Sequence, residues 1–394
     1  MDETLFRYNP WWEKPYSPGL ISRPAEMDRL MKNLENHQIV FLTGLRRIGK
    51  TSLLKMMILQ LMDQQNIDPK KILYVSLDDY NLLNQNILGI VDGFRKIHGI
   101  SFSENVFLFL DEVAYKEDFE IQLKNLVDSH NVKIFASSSS SSLLKRQKSL
   151  LTGRNVTLEI LPLDFDEYLQ FKKISISNSD QHLFEKHFEE YLKTGGIPEY
   201  VLTGDPAYLS ELVDDIIVKD IAAANNIRNS SVLRDFFLLL MERSGKQVSL
   251  NKMASILGIS VDTVSRYFEM FVQSFLIHPV ARFGKTNERI LSSKKIYASD
   301  TGIRNYFTGF RDVGSVFENY VYLRLKSWQP EYLYHDQTEI DFRLNNGMVV
   351  EAKYHDEPLS AKQEKLFSSY DEEKRWVVRN FRDVRELIRL LKNQ

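Results

Sequence analysis

One short segment of the chain has the residue types and the spacing of a phosphate-binding loop. It reads Gly44-Leu45-Arg46-Arg47-Ile48-Gly49-Lys50-Thr51, with Ser52 next. Glycines let a backbone wrap closely around phosphates and turn several N–H groups toward them. In this arrangement Lys50 reaches the β- and γ-phosphates, and the hydroxyl of Thr51 binds Mg²⁺. The segment therefore predicts a nucleotide site for ATP or ADP with Mg²⁺.

Two acidic residues supply the second half of such a site. Asp111 and Glu112 follow the apolar run 107–110, which we expect to form a buried strand beside the strand that precedes the loop. Asp111 at the strand tip would then hold the magnesium shell, and Glu112 would polarise the attacking water. The alternative is that the two acids merely begin a solvated loop.

Two further side chains are candidates for contact with the reacting phosphate. A run of serines, 137–142, follows a predicted fourth strand, and we assign Ser138 to the γ-phosphate or the water. The run itself leaves the choice of serine open, and a plain polar loop is the alternative. Arg154 is expected to stabilise charge on the transferred phosphoryl group, in its own subunit or in a neighbour. A surface salt bridge is the alternative for Arg154.

A second acidic constellation lies near the carboxyl terminus. It comprises Glu318, Asp341, Glu351 and Lys353, with Gln363 as a further candidate. Residues two apart on a strand share a face, and a hairpin through 345–347 would bring Asp341 to the face of Glu351 and Lys353. The carboxylates would bind Mg²⁺, and Lys353 would position water or stabilise the phosphate. The alternatives are an ion-paired strand surface and a nuclease-like fold without activity.

Residues 248–271 have a helix-turn-helix pattern. Gly258 allows the turn, and Ser260 is suited to cap the second helix. That helix would present Arg266 to a DNA major groove, although Asp262 and Glu269 oppose the phosphate field. Packing or protein contact is the alternative.

Apolar strands that alternate with helices must position the first site. Such runs at 38–43, 72–77, 105–110, 132–136 and 156–161 predict a parallel sheet covered on both faces. Polar residues cluster where these strands end, and open α/β sheets bind ligands at that edge. Residues 1–18 look like an extended arm. The pattern from 164 to about 235 is mainly helical, and it becomes mixed α/β from about 294.

Composition limits the chemistry further. The chain has 394 residues, 43% of them hydrophobic, with a formal net charge of -2 and no cysteine. Disulfides, thiolate catalysis and cysteine-bound metals are excluded, and any nucleic-acid contact must use a local basic surface. No apolar run approaches the ~20 residues of a membrane helix. We therefore expect a cytoplasmic protein without a membrane partner.

The chain resembles a known family in its motifs and in their order. The loop at 44–51 is similar to the Gly-x-Arg-Arg-x-Gly-Lys-Thr loop of archaeal-type AAA+ ATPases. Further similar segments are 109–113, 151–154, 161–163, 195–199, 295–302 and 317–321. They look like those of prokaryotic ATPases whose AAA+ core is fused to a winged helix and a region similar to PD-(D/E)XK nucleases. One departure is that serines follow Ala136, where the family usually has a Gly-Ser pair.

The resemblance implies an α/β fold: a P-loop AAA+ parallel-sheet core with a helical lid, a winged helix-turn-helix domain and a carboxyl-terminal α/β restriction-nuclease-like domain. The predicted domains are an arm (1–21), the core (22–163), the lid (164–235), the winged helix (236–293) and the nuclease-like domain (294–394). It implies an Mg²⁺-dependent ATPase that acts on duplex or branched DNA. The alternatives are a nucleotide-gated DNA-binding switch with negligible turnover, and a metal-dependent nuclease of a defence or mobile-element system. A homo-oligomer is compatible with this family.

Overall fold

The computed structural model describes residues 1–140, 151, 153–355 and 357–393. Ser141 and Ser142, part of the serine run, lie outside the described residues. The chain forms two compact units, Met1–Leu161 and Pro162–Gln394.

The first unit is built on a five-stranded parallel sheet with strand order β2-β3-β4-β1-β5. Its strands are β1 (Ile39–Thr43), β2 (Ile72–Ser76), β3 (Val106–Asp111), β4 (Val132–Ser138) and β5 (Asn155–Glu159). Its helices are α1 (Asp2–Tyr8), α2 (Pro24–Met31), α3 (Lys50–Gln64), α4 (Ile87–His98) and α5 (Phe119–Ser129). β1 and β3 are buried along their whole length, as expected for the inner strands of a covered parallel sheet.

The sheet order corrects one expectation. β3, which ends in Asp111, does not lie beside β1, because β4 is inserted between them. The apolar pattern could not distinguish these arrangements, since both strands are continuous buried runs. Because β4 lies between β1 and β3, the first serines of the run lie between the loop 44–51 and the pair Asp111–Glu112.

The amino-terminal segment is helical and folds onto its own unit, in contrast to the extended arm that we expected. It covers the outer edge of β2, the edge strand of the sheet. The side chain of Asn9 forms two hydrogen bonds with the backbone of Tyr74, accepting from its N–H at 2.6 Å and donating to its C=O at 2.9 Å. The indoles of Trp11 and Trp12 donate to the carbonyl of Ile72. The segment thus occupies backbone groups that an edge strand would otherwise expose.

The second unit begins with short helices and continues into a small antiparallel sheet. The helices that lead into it are α6 (Phe165–Phe171), α7 (Leu183–Thr194), α8 (Pro198–Thr203), α9 (Pro206–Asp215), with a π-helical stretch Ile216–Ala223, and α10 (Ser231–Glu242). The sheet, in order β6-β8-β7, consists of β6 (Lys246–Val248), β7 (Ile277–Val280) and β8 (Lys294–Ala298). Between them lie α11 (Leu250–Leu257), α12 (Val261–Gln273) and α13 (Thr286–Leu291).

A four-stranded sheet in order β12-β11-β10-β9 completes the second unit. Its strands are β9 (Glu331–His335), β10 (Thr338–Arg343), β11 (Val349–Ala352) and β12 (Arg375–Val378). The remaining helices are α14 (Thr301–Thr308), α15 (Val313–Leu325), α16 (Ala361–Phe367) and α17 (Phe381–Lys392). β10 and β11 form the antiparallel hairpin that the sequence predicted. Among the residues described, no helix is long and apolar enough to cross a lipid bilayer.

Two segments to which the sequence assigned no role, 195–199 and 295–302, pack against each other in this unit. The carboxylate of Asp300, which is fully buried, accepts hydrogen bonds from the N–H groups of Gly196 at 2.7 Å and Ile303 at 2.9 Å. A Cβ on Gly196 would lie 2.2 Å from the carbonyl oxygen of Leu163, so only glycine fits there. Burial raises the pKa of Asp300 to about 6, although the N–H donors lower it. The contacts between these two segments therefore have a structural role.

Candidate functional site

The loop after β1 has the backbone conformation of a phosphate cradle. Gly44 and Gly49 have φ of 136° and 98°, which disfavour any residue with a Cβ. A Cβ on Gly44 would also meet the carbonyl oxygen of Ile160 at 2.4 Å. Lys50, the first residue of α3, directs its ammonium back over the loop and donates to the carbonyl oxygens of Gly44 at 3.0 Å and Leu45 at 2.9 Å. The N-terminus of α3 and the ammonium therefore face the same enclosure.

The other loop residues differ in exposure. Leu45 and Ile48 are buried and anchor the loop in the core. Arg46 and Ser52 are half-buried, whereas Arg47 is exposed and adopts a positive φ of 60°. The apolar positions of the motif thus hold the loop in place, and its two arginines lie nearer the surface than the buried Lys50.

Asp111 is the centre of a buried network of hydroxyl groups. Thr51 donates from Oγ1 to Asp111 Oδ2 at 2.6 Å, so the two predicted magnesium ligands are in direct contact. Tyr74, on the neighbouring strand β2, donates from its hydroxyl to the same oxygen at 2.9 Å. Ser137 donates to the other carboxylate oxygen, Oδ1. A carboxylate and a hydroxyl are the oxygen ligands that Mg²⁺ prefers, so this donor set fits the ion.

Tyr74 is a residue that sequence reasoning missed. It lies two positions before the end of β2, and an aromatic residue in an apolar strand looks like part of the core. Burial and the neighbouring Asp111 raise the pKa of Tyr74 well above its ordinary value, so its hydroxyl remains a donor at neutral pH. Its role follows from the strand order, which places β2 beside β3 and pairs Ser76, two residues after Tyr74, with Asp111. No signal in the sequence identifies that neighbour.

The serines next to the acid pair alternate in direction. Ser137 Oγ also accepts from the Glu112 N–H at 3.1 Å, and Ser139 donates to Glu112 Oε1 at 2.6 Å. Ser138 lies between them, and its hydroxyl donates instead to the carbonyl oxygen of Ser140 at 3.4 Å. Successive residues of a strand point to opposite faces. Ser137, on β4, and Ser139, just beyond its end, therefore contact the acid pair. The assignment of Ser138 to the γ-phosphate or the water stays a prediction.

Arg154 lies at the opposite end of the sheet from the loop. Its carbonyl oxygen accepts from the N–H of Ile39, the first residue of β1, whereas the loop follows the last residue of that strand. A five-residue strand is about 16 Å long. The guanidinium pairs with Asp128 at 3.2 Å, and both side chains are 43% exposed. We therefore correct the expectation that Arg154 acts on the phosphate of its own subunit. Its action on a neighbouring subunit stays a prediction.

The carboxyl-terminal residues also come together. Asp341 and Glu351 lie opposite each other in the β10–β11 hairpin, and the Asp341 N–H donates to Glu351 Oε2 at 3.1 Å. Gln363 donates to Glu351 Oε1 at 2.7 Å, and Lys353 lies 3.3 Å from the same oxygen. Burial and the nearby Asp341 raise the pKa of Glu351 to about 9. Glu318, the fourth predicted residue, lies on α15, close enough for the charge of Asp341 to act on its carboxyl group.

Lys295 on β8 fills the space between these carboxylates, and sequence reasoning missed it as well. Its Nζ lies 2.6 Å from Glu318 Oε1 and 3.0 Å from Asp341 Oδ1. Burial would lower the pKa of Lys295, but the surrounding carboxylates raise it well above its ordinary value. Burial and Asp341 raise the pKa of Glu318 to about 7. Among the described residues, no group of three or more histidine, aspartate or glutamate side chains is arranged to hold a metal ion.

Comparison with known proteins defines the class to which the first unit belongs. Residues 36–169, which contain the loop, the acid pair and the sheet, match the AAA domain family. The match supports a P-loop domain of the AAA type in this segment. Residues 185–313 match a domain of unknown function, DUF8612.

The chain belongs to the family of the uncharacterized protein MJ1544 of Methanocaldococcus jannaschii. The two are 30% identical over 322 residues, which cover 78% of this chain and 69% of the relative. An uncharacterized protein of Haemophilus influenzae is 27% identical over 342 residues, covering 83% of this chain and 84% of the relative.

Solved structures of DnaA resemble the chain more distantly. AMPPCP-bound DnaA from Aquifex aeolicus is 18% identical, covers 64% of this chain and 88% of its own, and has a TM-score of 0.30. A replication initiator DnaA bound to AMPPCP and single-stranded DNA is 17% identical and has a TM-score of 0.28. The match covers 66% of this chain and 92% of the DnaA chain. Scores of this size carry no conclusion about this chain.

Proposed function

We propose that the chain binds ATP with Mg²⁺ at the loop 44–51 and hydrolyses it. The observation that carries this proposal is the direct contact of Thr51 with Asp111 at 2.6 Å, beside an ammonium that lies over the loop. The ion, when bound, neutralises charge that develops on the phosphates. Lys50 and the N–H groups of the loop bind the phosphates, and Thr51 and Asp111 hold the ion.

Glu112 is the residue that we propose to orient the attacking water. Its carboxylate accepts from both the hydroxyl and the N–H of Ser139, which fixes it at the tip of β3. Its backbone is held at a positive φ of 52°, a sparsely populated conformation that is common at functional sites. The bond from Glu112 N–H to Ser137 supports the turn that presents the carboxylate.

An ATPase assay combined with nucleotide binding tests the proposal. Lys50→Ala should lose nucleotide affinity, because the phosphates lose their cation. Glu112→Gln should keep its affinity and lose turnover. Lys70→Ala and Glu117→Gln change exposed residues of the same types and serve as matched controls. Undiminished turnover in both site variants would refute the assignment, and tight binding without turnover in the unmodified chain would favour the nucleotide-gated switch.

We infer further that the helix pair α11–α12 contacts duplex or branched DNA. With α10 and the sheet β6-β8-β7, the order of elements is that of a winged helix, which supports this prediction. Ser260 accepts from the N–H of Thr263 and caps α12, and Arg266 is exposed on that helix. Asp262 and Glu269 are exposed beside it and oppose the phosphate field. Binding should fall steeply with salt only if phosphate contacts from Arg266 and its surroundings dominate.

Binding of labelled duplex and branched DNA, with and without ATP, tests this second proposal. Arg266→Ala should weaken binding and reduce the salt dependence, because one phosphate contact is lost. Arg375→Ala alters a half-buried arginine on β12, in the other sheet of the unit, and serves as the control. Equal binding by both variants and the unmodified chain would exclude this helix as the contact. The metal-dependent nuclease stays a prediction.

A further inference from the structure

The carboxyl-terminal acidic centre contains its own cation. The side chain of Lys295 is 1% exposed, and its ammonium contacts three carboxylates. The distances from Nζ are 2.6 Å to Glu318, 2.6 Å to Glu339 and 3.0 Å to Asp341. These are lengths of charge-assisted N–H···O bonds. An ammonium has three N–H donors, and each one has a carboxylate partner here.

Several contacts fix this lysine and leave it no alternative position. Lys295 lies on β8, the central strand of the three-stranded sheet. Asn319 fixes α15 to that strand, because its side-chain amide accepts from the N–H of Ala298 and donates to the carbonyl of the same residue. Tyr297, two residues further along β8, donates from its hydroxyl to Glu318 Oε1 at 2.6 Å. The ammonium and its carboxylates are therefore held by elements that are themselves bonded together.

Other carboxylate oxygens of Asp341 and Glu351 have protein donors of their own. Asp341 Oδ2 accepts from the N–H of Ala352 at 3.0 Å. Both oxygens of Glu351 also accept, one from Gln363 and one from the N–H of Asp341. A nuclease that uses a divalent ion needs carboxylate oxygens that converge on a shared position at about 2.0–2.6 Å. Here the ammonium of Lys295 lies among the carboxylates of Glu318, Glu339 and Asp341, and such a donor set does not fit a further cation.

We propose that Lys295 takes the place of a divalent cation in this centre, which acts as an ion-paired joint between the three-stranded and the four-stranded sheet. Removing one partner of a buried ion pair leaves the other charge without compensation. Replacement of Lys295 should therefore destabilise the unit and, at the same time, create an affinity for divalent ions that the unmodified chain lacks.

Titration with Mn²⁺ alone tests the proposal. The full chain carries Asp111→Asn in all samples, so that the nucleotide site lacks the carboxylate proposed to hold its ion. The parent should bind no Mn²⁺ at micromolar concentration. Lys295→Met should gain a saturable site with an affinity at least about tenfold above the parent, since the vacated position is lined by carboxylates. Adding Asp341→Asn should abolish that site. Lys294→Met, on the same strand and bonded to the Arg289 carbonyl, is the control and should gain none.

The parent chain alone suffices to overturn the proposal, whether or not Lys295→Met folds. Saturable Mn²⁺ binding by the parent that Asp341→Asn abolishes would mean that the centre holds a metal with Lys295 in place. A folded Lys295→Met that gains no Mn²⁺ site would equally contradict the proposal. A melting temperature that falls in Lys295→Met and rises again with Mn²⁺ would support it.

Discussion

Replacing Tyr74 with phenylalanine removes a single hydroxyl from the network around Asp111. The ring stays in place, because the backbone of Tyr74 remains bonded to Asn9. The lost bond, 2.9 Å from the hydroxyl to Asp111 Oδ2, is a bond to a charged acceptor, and such bonds contribute about 1.5–3 kcal/mol. Thr51 and Ser137 still hold the carboxylate, so we expect the lower end of that range.

The loss of this hydrogen bond should change how turnover depends on Mg²⁺ concentration. A carboxylate that is less firmly oriented is a poorer ligand, so half-maximal turnover in Tyr74→Phe should need about tenfold more Mg²⁺, equivalent to about 1.4 kcal/mol. At saturating Mg²⁺ the KM for ATP should be unchanged, because the phosphates are bound by Lys50 and the loop. The assay is turnover measured against Mg²⁺ concentration at fixed ATP.

Tyr8→Phe is the matched control for this prediction. Tyr8 also donates its hydroxyl to an aspartate, Asp79, at 2.7 Å, and its ring lies 5.9 Å from that of Tyr74. Because this hydroxyl bonds to Asp79 and not to Asp111, the Mg²⁺ dependence of Tyr8→Phe should equal that of the unmodified chain. Identical Mg²⁺ curves for Tyr74→Phe and the unmodified chain, or the same shift in Tyr8→Phe, would refute the reasoning.

Three further outcomes are expected. The pKa of Asp300 is raised from 3.8 to about 6, so between these values the folded chain retains a proton that the unfolded chain has lost. Stability should therefore fall by about 2 kcal/mol as pH rises from 4 to 6, and urea titrations should find this loss absent in Asp300→Asn. Gly44→Ala should abolish nucleotide binding, since its Cβ would meet the Ile160 carbonyl at 2.4 Å, and equilibrium dialysis would detect retained binding. Arg154→Ala should change the free energy of unfolding by less than about 1 kcal/mol, because its pair with Asp128 is exposed, and a larger loss in denaturant titration would contradict this.

The chemistry of the first site was predictable because it depends on local spacing. The loop 44–51 and the pair Asp111–Glu112 are each contiguous in sequence, and each follows an apolar strand, so their place at the sheet edge follows from strand direction. Tyr74 was not predictable in the same way. Its role depends on the order of strands in the sheet, and nothing in a buried apolar run states which strand will be its neighbour.

The carboxyl-terminal acidic site likewise combines a part that the sequence predicted with a part that it did not. The hairpin that joins Asp341 to Glu351 was predictable, since its turn is local. Lys295 lies 46 residues before Asp341 and on a different sheet, and a lysine in a β-strand pattern is ordinarily a surface residue. Only the packing of β8 against α15 reveals that its ammonium is enclosed. The sequence therefore identifies the carboxylates and omits the group that compensates their charge.

The helical amino-terminal segment has a practical consequence for handling the protein. A sheet edge with unpaired N–H and C=O groups is a template on which other chains add strands. Asn9 and the two indoles occupy that edge at Tyr74 and Ile72. A version shortened by the first dozen residues would present a bare strand, and we expect it to precipitate or form β-rich aggregates during purification even though every phosphate-binding residue is retained.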